Sequence, residues 1–459
     1  MLRRVLRFLA LGFLAVPVVH AQSDPFCADV AKAASEVVRQ TGVPSASVAV
    51  VRDGKIACVL AVGDAKLDPK TPAASAMRYG IGSVSKQFTA AAVLMLADEG
   101  KLSLDDPVSK FVPGLTDADK VTIRQLLSHT SGYQDYWPQD YVPPFMKTET
   151  TAQAILDRWA KQPLDFAPGA QYQYSNTGYV IAGLVVEKAG GAPLMEVLET
   201  RIFRPLGMKS VLDIDRSKLT EADAIGYQRF GLGPLRVAPK EGKGWLYAAA
   251  ELAMTAEDLA RWNISLMDRK LLKPASYTEM ERAVILTNGV ASPYGLGVGV
   301  ASAAGHRSIS HGGEVSGFTS ENVIYPDDRA AVTVLVNQDA IGASGDIVEK
   351  IRALLFDAGV AQAEARARKI LEGLQKGQLD RSLLTENASS YFTPAALRDL
   401  AAGLAPLGPV KEVSQQRQSQ RGGMTYRNIE AKYASKTLEI WERDMPDGKI
   451  EQFQVAEKH

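Results

Sequence analysis

The sequence feature that most constrains the fold is that the strand patterns form two groups, separated by a long helical stretch. The first group runs from Ser45 to Val62, where two β-branched runs meet at Asp53-Gly54, a dipeptide typical of two-residue hairpin turns. The second group comprises Tyr294–Ala301, Val323–Tyr325 and Ala331–Asn337. We therefore predict one antiparallel sheet that is built from both ends of this segment.

Amphipathic patterns fill the stretch between the two strand groups. Several of them end in glycine, which is typical of helix C-termini. The predicted helices are Lys86–Gly100, Thr150–Lys161, Gly178–Gly190, Pro193–Arg201 and Thr255–Leu266. This order of elements predicts an α+β fold, in which an antiparallel sheet is flanked by helices and a helical region is inserted.

The length of the chain indicates a second domain. The chain has 459 residues, 46% of them hydrophobic, and exceeds the usual size of one domain. We predict a main domain over residues 24–360 and a small α+β domain over residues 361–459, without any catalytic-looking cluster. Its predicted elements are a surface helix at Ala361–Lys376, a helix near Pro394–Leu404 and strands near Met424–Lys432, Thr437–Arg443 and Lys449–Val455.

The N-terminus has the pattern of a secretory signal peptide. Arg3, Arg4 and Arg7 precede an apolar stretch at Phe8–Val19, and small residues favour cleavage after Ala21. We predict a signal peptide over residues 1–21, export to the periplasm or the medium, and no stable membrane span after cleavage. The apolar stretch is shorter than the ~20 residues of a spanning helix, although an uncleaved anchor stays open.

The two cysteines, Cys27 and Cys58, both follow the predicted cleavage site. An oxidising compartment permits a disulfide between them, but two separate buried thiols are equally compatible with the sequence. Neither cysteine supports a metal site or a thiol nucleophile.

Charge and motifs exclude several classes of function. The 52 basic and 52 acidic residues cancel, so we expect no nucleic-acid partner, and the expected partner is a small molecule or a peptide, including cell-wall peptide. The chain has no HExxH, CxxC, GxSxG or phosphate-binding glycine loop, and we expect no metal ion or cofactor. The histidines after the signal peptide lack metal-ligand spacing; they are His129, His306, His311 and His459.

The strongest candidate for chemistry is a Ser-x-x-Lys pair formed by Ser83 and Lys86. Ser83 precedes a long helical pattern, so Lys86 lies one turn later on the same helix face, within reach of the hydroxyl. Lysine has a usual pKa of ~10.4, but the apolar continuation Ala90–Ala97 is expected to bury the amine and lower that pKa. On this motif alone, an N-capping serine beside a solvated lysine stays open.

Two later motifs accompany this pair. Tyr174-Ser175-Asn176 precedes a helix, where a tyrosine hydroxyl can relay a proton and an asparagine amide can hold a substrate carbonyl. His311-Gly312-Gly313 lies in a strand pattern, where small residues let a substrate backbone approach. In this order and spacing, over roughly Val43–Leu355, the chain resembles the serine β-lactamase and penicillin-binding-protein superfamily, nearest its class C β-lactamase, D-peptidase and esterase branch.

The resemblance implies a catalytic group and a binding group of residues. Ser83 would be the acyl-enzyme nucleophile, and Lys86 with Tyr174 would be the base system, with their division of labour left open. The implied substrate-binding residues are Asn176, which would hold the substrate amide, His311 and Gly313 on the third motif, and Glu314, whose backbone N–H would join that of Ser83 in the oxyanion hole.

The third motif departs from the Lys-Thr-Gly form of the lactamases. His311 is mostly neutral at pH 7 and Gly312 has no hydroxyl, so recognition of a substrate carboxylate should be weaker. This favours an esterase, a D-amino-acid peptidase or an amidase over an efficient β-lactamase. A second departure is Ala250-Glu251-Leu252, where relatives often carry glycines.

The leading functional hypothesis is an exported serine hydrolase that cleaves an amide, peptide or ester, including a D-amino-acid peptide or a β-lactam. The alternative is a penicillin-binding or sensor-type domain that is acylated, or binds cell-wall peptide, without efficient turnover. A Ser-His-Asp hydrolase that uses His311 or His129 ranks third. The aromatic segment Tyr133–Tyr141 either lines the substrate mouth or packs over the helical region.

Overall fold

The computed structural model describes residues 25–303, 306–339, 341–356 and 358–458. The predicted signal peptide over residues 1–21 lies outside these described residues. The chain divides into two compact units, the first ending at Val348 and the second beginning at Glu349. This division falls within the helix Ala343–Phe356, earlier in the chain than the predicted domain boundary after residue 360.

The first unit is built on a seven-stranded antiparallel sheet. The strands of the whole unit, including those of two smaller sheets, are β1 (Ser45–Arg52), β2 (Lys55–Leu67), β3 (Lys70–Pro72), β4 (Tyr79–Gly80), β5 (Leu212–Asp213), β6 (Tyr227–Gln228), β7 (Arg236–Val237), β8 (Leu252–Met254), β9 (Gly299–Ala303), β10 (His306–Val315), β11 (Phe318–Tyr325) and β12 (Ala330–Val336). The large sheet has the order β3-β2-β1-β12-β11-β10-β9, and the short strands form the sheets β4-β8-β5 and β6-β7.

The large sheet joins the two ends of the segment, as the sequence predicts. Strand β1 pairs antiparallel with β12, with Ala46 opposite Val336. The predicted hairpin is also confirmed, because β1 and β2 pair from Arg52 and Lys55 outward around the Asp53-Gly54 turn. The α+β fold class is therefore confirmed.

Helices of the first unit cover this sheet and form the inserted region. They are α1 (Pro25–Thr41), α2 (Lys86–Asp98), α3 (Ile123–Leu127), α4 (Ala152–Ile155), α5 (Asn176–Gly190), α6 (Leu194–Leu198), α7 (Arg204–Leu206), α8 (Ala256–Met267), α9 (Pro274–Met280) and α10 (Ala343–Phe356). Helix α2 is the central one, because every residue from Lys86 to Leu96 is buried. Among the described helices, none is long and apolar enough to cross a membrane.

The predicted strand over Tyr294–Ala301 is wrong in its first half. Strand β9 begins only at Gly299, and the preceding residues form a tight turn in which the Gly295 N–H donates to the Val298 carbonyl at 2.8 Å. Gly297 has a φ of 79°, and a Cβ there would lie 2.6 Å from the Cβ of Ala90 on α2. Gly297 thus allows a close approach of this turn to the central helix, and Gly295 allows one to the Met280 carbonyl at the end of α9, where a Cβ would lie 2.2 Å away.

The second unit is a four-stranded antiparallel sheet with helices. Its elements are α11 (Ala358–Leu374), α12 (Glu386–Tyr391), α13 (Pro394–Leu404), β13 (Glu412–Arg421), β14 (Met424–Lys432), β15 (Thr437–Asp444) and β16 (Ile450–Glu457). The surface helix predicted at Ala361–Lys376 corresponds to α11, one face of which packs into the core of this unit through Ala367, Ile370 and Leu371. The sequence analysis missed β13, a polar edge strand whose side chains show no apolar alternation.

A disulfide joins the first helix to the sheet. Cys27 on α1 and Cys58 on β2 are bonded, with their Cα atoms 5.4 Å apart. Of the two alternatives that the sequence left open, the structure has the bridge.

We predict that the disulfide stabilises the first unit by about 3–4 kcal/mol, because it closes a loop with a sequence separation of 31 residues in the unfolded chain. The Cys27→Ser/Cys58→Ser variant should therefore unfold at a lower denaturant concentration than the wild type. Reductant should lower the wild-type midpoint and leave that of the variant unchanged. Equal midpoints for the two oxidised proteins would contradict this prediction.

Candidate active site

The structure brings the three predicted motifs together at the start of the central helix. Ser83 lies on a 3-10 turn at Gly82–Ser85, directly between β4 and α2, and Lys86 is the first residue of α2. Asn176 is the first residue of α5, where the Ser175 hydroxyl caps the helix by accepting the Gly178 N–H. Each functional side chain therefore extends from the beginning of a helix or from a strand of the large sheet.

The Lys86 amine is held by three oxygen atoms. Its Nζ lies 3.0 Å from Ser83 Oγ, 2.8 Å from Asn176 Oδ1 and 2.9 Å from the Ala249 carbonyl oxygen. The amide and carbonyl oxygens can only accept hydrogen bonds. When Lys86 is neutral, its two N–H bonds therefore point to these oxygens and its lone pair faces the Ser83 hydroxyl, as proton transfer requires.

Burial lowers the pKa of this amine into the neutral range. Lys86 is 0% exposed, and loss of solvent lowers its pKa to about 7, while the negative charges of Asp135 and Glu251 oppose that decrease. A substantial fraction of the amine is therefore unprotonated near pH 7. The sequence analysis expected this decrease from the apolar continuation of the helix.

The Tyr174 phenol lies beside the same amine. Lys86 Nζ is 4.9 Å from the centre of the Tyr174 ring. Burial raises the pKa of Tyr174 well above its ordinary value, and a hydrogen bond with Ser83 opposes that rise only in part. The phenol is thus protonated at neutral pH, a state suited to donating a proton or a hydrogen bond.

His311 of the third motif is buried and neutral. Its Nδ1 lies 2.5 Å from the Gly312 carbonyl oxygen, so Nδ1 carries the proton in this contact. Burial, together with the positive charge of Lys86, lowers the pKa of His311 to about 3. Its Nε2 has no hydrogen-bond partner among the described residues and is left as a free acceptor. This ring therefore presents no positive charge to a substrate at pH 7.

Two glycines let the nucleophile turn lie directly against strand β10. Gly82 has a φ of 50°, and a Cβ there would lie 2.5 Å from the backbone nitrogen of Glu314. A Cβ on Gly313 would lie 2.0 Å from the Ile81 carbonyl oxygen. The backbones of Ser83 and Glu314 are consequently neighbours, as an oxyanion hole made from their two N–H groups requires.

Asp135 is a site residue that the sequence analysis did not single out. Its carboxylate accepts the Asn176 backbone N–H at 3.0 Å and the Asn176 Nδ2–H at 3.3 Å. These two hydrogen bonds orient the amide so that Asn176 Oδ1 faces Lys86. Asp135 lies within the aromatic segment Tyr133–Tyr141, and its position there was the only available signal.

The aromatic segment has both of the roles that the sequence left open. Tyr133 and Tyr136 are buried in the core of the first unit. Trp137 and Tyr141 instead line a cavity of about 510 Å³ that also includes Ser83. A second cavity of about 600 Å³ is lined by Ser83 together with the third motif.

His129 is a structural residue of this region. It is 1% exposed, its Nδ1 accepts the Ser175 N–H at 3.1 Å, and its ring centre lies 4.1 Å from that of Tyr174. Among the described residues, neither His129 nor His311 forms a hydrogen bond with a carboxylate. The Ser-His-Asp alternative therefore lacks the group that would orient its base.

Glu251 is a buried carboxyl near the Lys86 amine. It is 2% exposed, and neither of its carboxyl oxygens has a hydrogen-bond partner among the described residues. Burial raises the pKa of Glu251 to about 8, and the charges of Asp213 and Asp215 add to the rise.

Comparison with known proteins agrees with this geometry. The beta-lactamase family model matches residues 30–355, and the chain belongs to this family. A D-aminopeptidase of Brucella anthropi is 28% identical over 325 residues, which cover 70% of this chain and 60% of that enzyme. The curated relative is thus considerably longer than the region it shares with this chain.

Solved structures show the same relationship. A D-stereospecific amidohydrolase from Streptomyces sp. has a TM-score of 0.62 and 28% identity, covering 72% of this chain and 99% of that chain. The octameric penicillin-binding protein homologue from Pyrococcus abyssi has a TM-score of 0.64 and 21% identity, covering 93% of this chain and 99% of that chain, and shows the fold.

We predict that kcat/KM for a neutral ester rises with pH through an apparent pKa of about 7, because Lys86 must lose its proton before it can accept one from Ser83. A pH profile with p-nitrophenyl acetate measures this limb. His311→Asn should keep the limb at the same pH, whatever its effect on the rate. A limb that disappears in His311→Asn would assign the titration to the histidine.

We predict that Glu251 makes the first unit less stable as pH rises. The folded-state pKa of about 8 exceeds the ordinary value of 4.5, so the folded state binds the proton more tightly than the unfolded chain does. Between these two pH values, the free energy of unfolding therefore falls by up to about 1.4 kcal/mol per pH unit. Thermal unfolding between pH 5.5 and pH 7.5 should show a smaller loss in Glu251→Gln than in the wild type. The exposed Glu257 provides the control variant Glu257→Gln, and equal slopes in all three proteins would refute the prediction.

Proposed function

We propose that the protein is an exported hydrolase that cleaves amides, peptides or esters of D-amino acids through an acyl-enzyme on Ser83. The observation that carries this proposal is the Ser83–Lys86 pair, in which a buried amine with a pKa of about 7 lies 3.0 Å from the serine hydroxyl. A free lysine of ordinary pKa would be almost fully protonated at pH 7 and would be a poor base.

In the proposed first half-reaction, neutral Lys86 takes the Ser83 proton while Oγ attacks the substrate carbonyl carbon. The negative charge that develops on the carbonyl oxygen is stabilised by the backbone N–H groups of Ser83 and Glu314. The proton then passes to the leaving amine or alcohol through the Tyr174 hydroxyl, whose raised pKa keeps it a donor. The bond to the leaving group breaks and the acyl group stays on Ser83.

In the second half-reaction, water takes the place of the leaving group. Lys86, neutral again, accepts a proton from the water, whose oxygen attacks the acyl carbon. The bond between the acyl carbon and Ser83 Oγ then breaks, and Lys86 returns the proton to Oγ as the acid leaves. Asn176 has an amide Nδ2–H group for the substrate and is kept in orientation by Asp135. These roles assign Lys86 as the principal base and Tyr174 as the proton donor.

Two observations support D-amino-acid derivatives as the substrate class. The third motif offers a neutral His311 and the bare Gly312 in place of the lysine and threonine that hold a carboxylate in the lactamases. The relatives at 28% identity are named as a D-aminopeptidase and a D-stereospecific amidohydrolase. We propose a corresponding preference for D-aminoacyl substrates here, with β-lactams as poor substrates.

Export is proposed from the arginines and the apolar stretch that precede Ala21. The Cys27–Cys58 disulfide is consistent with an oxidising compartment. Expression of the full chain in a bacterial host, followed by N-terminal sequencing of the periplasmic or secreted protein, tests this proposal. The expected mature N-terminus is Gln22, whereas an uncleaved protein that stays in the cytoplasm would contradict export.

Acylation and turnover can be tested on one set of compounds: p-nitrophenyl acetate, D-alanyl and L-alanyl p-nitroanilides, and nitrocefin. We expect sustained hydrolysis, with the D-alanyl p-nitroanilide cleaved at least tenfold faster than the L-alanyl compound and nitrocefin turned over slowly. The mass of the protein in quenched samples should show an acyl group bound to Ser83. Ser83→Ala should lower every rate by at least about a thousandfold.

The control variant is Ser217→Ala, which removes an exposed serine hydroxyl that lines neither of the two cavities. It should keep wild-type rates within about twofold. A single stoichiometric burst without turnover would favour the penicillin-binding or sensor-type alternative. Turnover that survives Ser83→Ala would overturn the mechanism.

A further inference from the structure

A carboxylate that the catalytic roles do not use lines the second cavity. This cavity of about 600 Å³ includes Ser83, His311, Gly312 and Glu321. Glu321 therefore lines the same open cavity as the nucleophile, although it lies far from Ser83 in the sequence.

The position of Glu321 is fixed by strand pairing. It lies on β11 directly opposite Gly312 of β10. Paired residues of antiparallel strands project to the same face of the sheet, so Glu321 stands beside a residue that has no side chain. A Cβ on Gly312 would lie 3.1 Å from Glu321 Oε2. The missing side chain of the third motif thus leaves the carboxylate uncovered.

The carboxylate has no cationic neighbour in this cavity. Among the described residues, no lysine or arginine lines the cavity, and no side chain donates a hydrogen bond to Glu321. The titratable lining residues are Tyr174, Tyr294, His311, Glu314 and Glu321. His311 is neutral there because its pKa is about 3. Burial raises the pKa of Glu321 to about 7, as expected of a desolvated carboxyl without a counter-charge.

We propose that Glu321 forms a subsite for a protonated amine of the substrate, in the part of the cleft where the lactamases use Lys-Thr-Gly to hold a carboxylate. This inference rests on the proposed function and adds that the substrate carries a positively charged amine. A cationic group bound there would supply the missing counter-charge, whereas a substrate carboxylate would be repelled. The amine belongs either to the acyl part, as the α-ammonium of a D-aminoacyl group, or to the leaving part.

A matched set of amides distinguishes these two sources. D-Alanyl-glycinamide carries the cation on the acyl part, and N-acetyl-D-alanyl-(2-aminoethyl)amide carries it on the leaving part. N-Acetyl-D-alanyl-glycinamide is the neutral reference, and N-acetyl-D-alanyl-glycine carries a carboxylate. Each compound is assayed for kcat/KM, and one that is not turned over is scored by its inhibition constant against p-nitrophenyl acetate.

We expect the wild type to favour one of the two cationic compounds over the neutral reference by at least tenfold and to disfavour the carboxylate. Glu321→Gln keeps the size of the side chain and removes its charge. It should abolish most of that preference, improve the carboxylate compound, and leave the neutral reference and p-nitrophenyl acetate within about twofold. The exposed Glu257 again provides the control, Glu257→Gln, which should change none of these ratios.

An equal effect of Glu321→Gln on all compounds, no effect on any, or a wild-type preference for the carboxylate would overturn the proposed subsite. Failure of the proposed function itself is detected separately. It would appear as p-nitrophenyl acetate turnover that does not depend on Ser83, whereas loss of the subsite alone leaves Ser83-dependent turnover intact.

Discussion

The burial of one amine is the constraint on which the rest of the site depends. Lys86 begins a helix that is buried over its whole first part, and it is 0% exposed. Loss of solvent at this position lowers its pKa to about 7. Asn176 Oδ1 and the Ala249 carbonyl accept its N–H bonds, so the buried amine keeps its hydrogen bonds. Without these acceptors, burying the group would cost several kcal/mol. The apolar helix and the polar oxygens around its first residue therefore act together to produce a base.

The third motif places an uncharged histidine ring near this amine. His311 is uncharged at pH 7, and its neutrality prevents a second positive charge from lying close to Lys86. The bare backbone of Gly313 lets β10 approach the nucleophile turn, and the bare Gly312 leaves Glu321 uncovered in the second cavity. The His-Gly-Gly motif thus presents a neutral ring and bare backbone to this cavity, with the Glu321 carboxyl beside them.

Local patterns in the sequence predicted much of this structure. The features that they did not predict depend on contacts between residues that are distant in the sequence. The Asp53-Gly54 hairpin, the start of helix α2 and the three motifs are all encoded by short patterns, and the structure brings these motifs together. No short pattern marks Asp135 or Glu321. Asp135 is recognised only from its hydrogen bonds to Asn176, and Glu321 only from its pairing with Gly312 across two strands. The first half of the strand predicted at Tyr294 was wrong because Gly295 and Gly297 allow close contacts with Met280 and Ala90, which the local sequence cannot reveal.

Nuclear magnetic resonance tests most directly whether the Lys86 amine has a pKa of about 7 in the folded protein. Protein labelled with carbon-13 at the lysine ε positions is titrated with pH, and Lys86→Met identifies the resonance of interest. The account predicts one lysine that titrates at a pKa of about 7 and is absent from the variant. If the Lys86 resonance instead titrated near the ordinary lysine value of ~10.4, the amine could not be the base and the account would be contradicted.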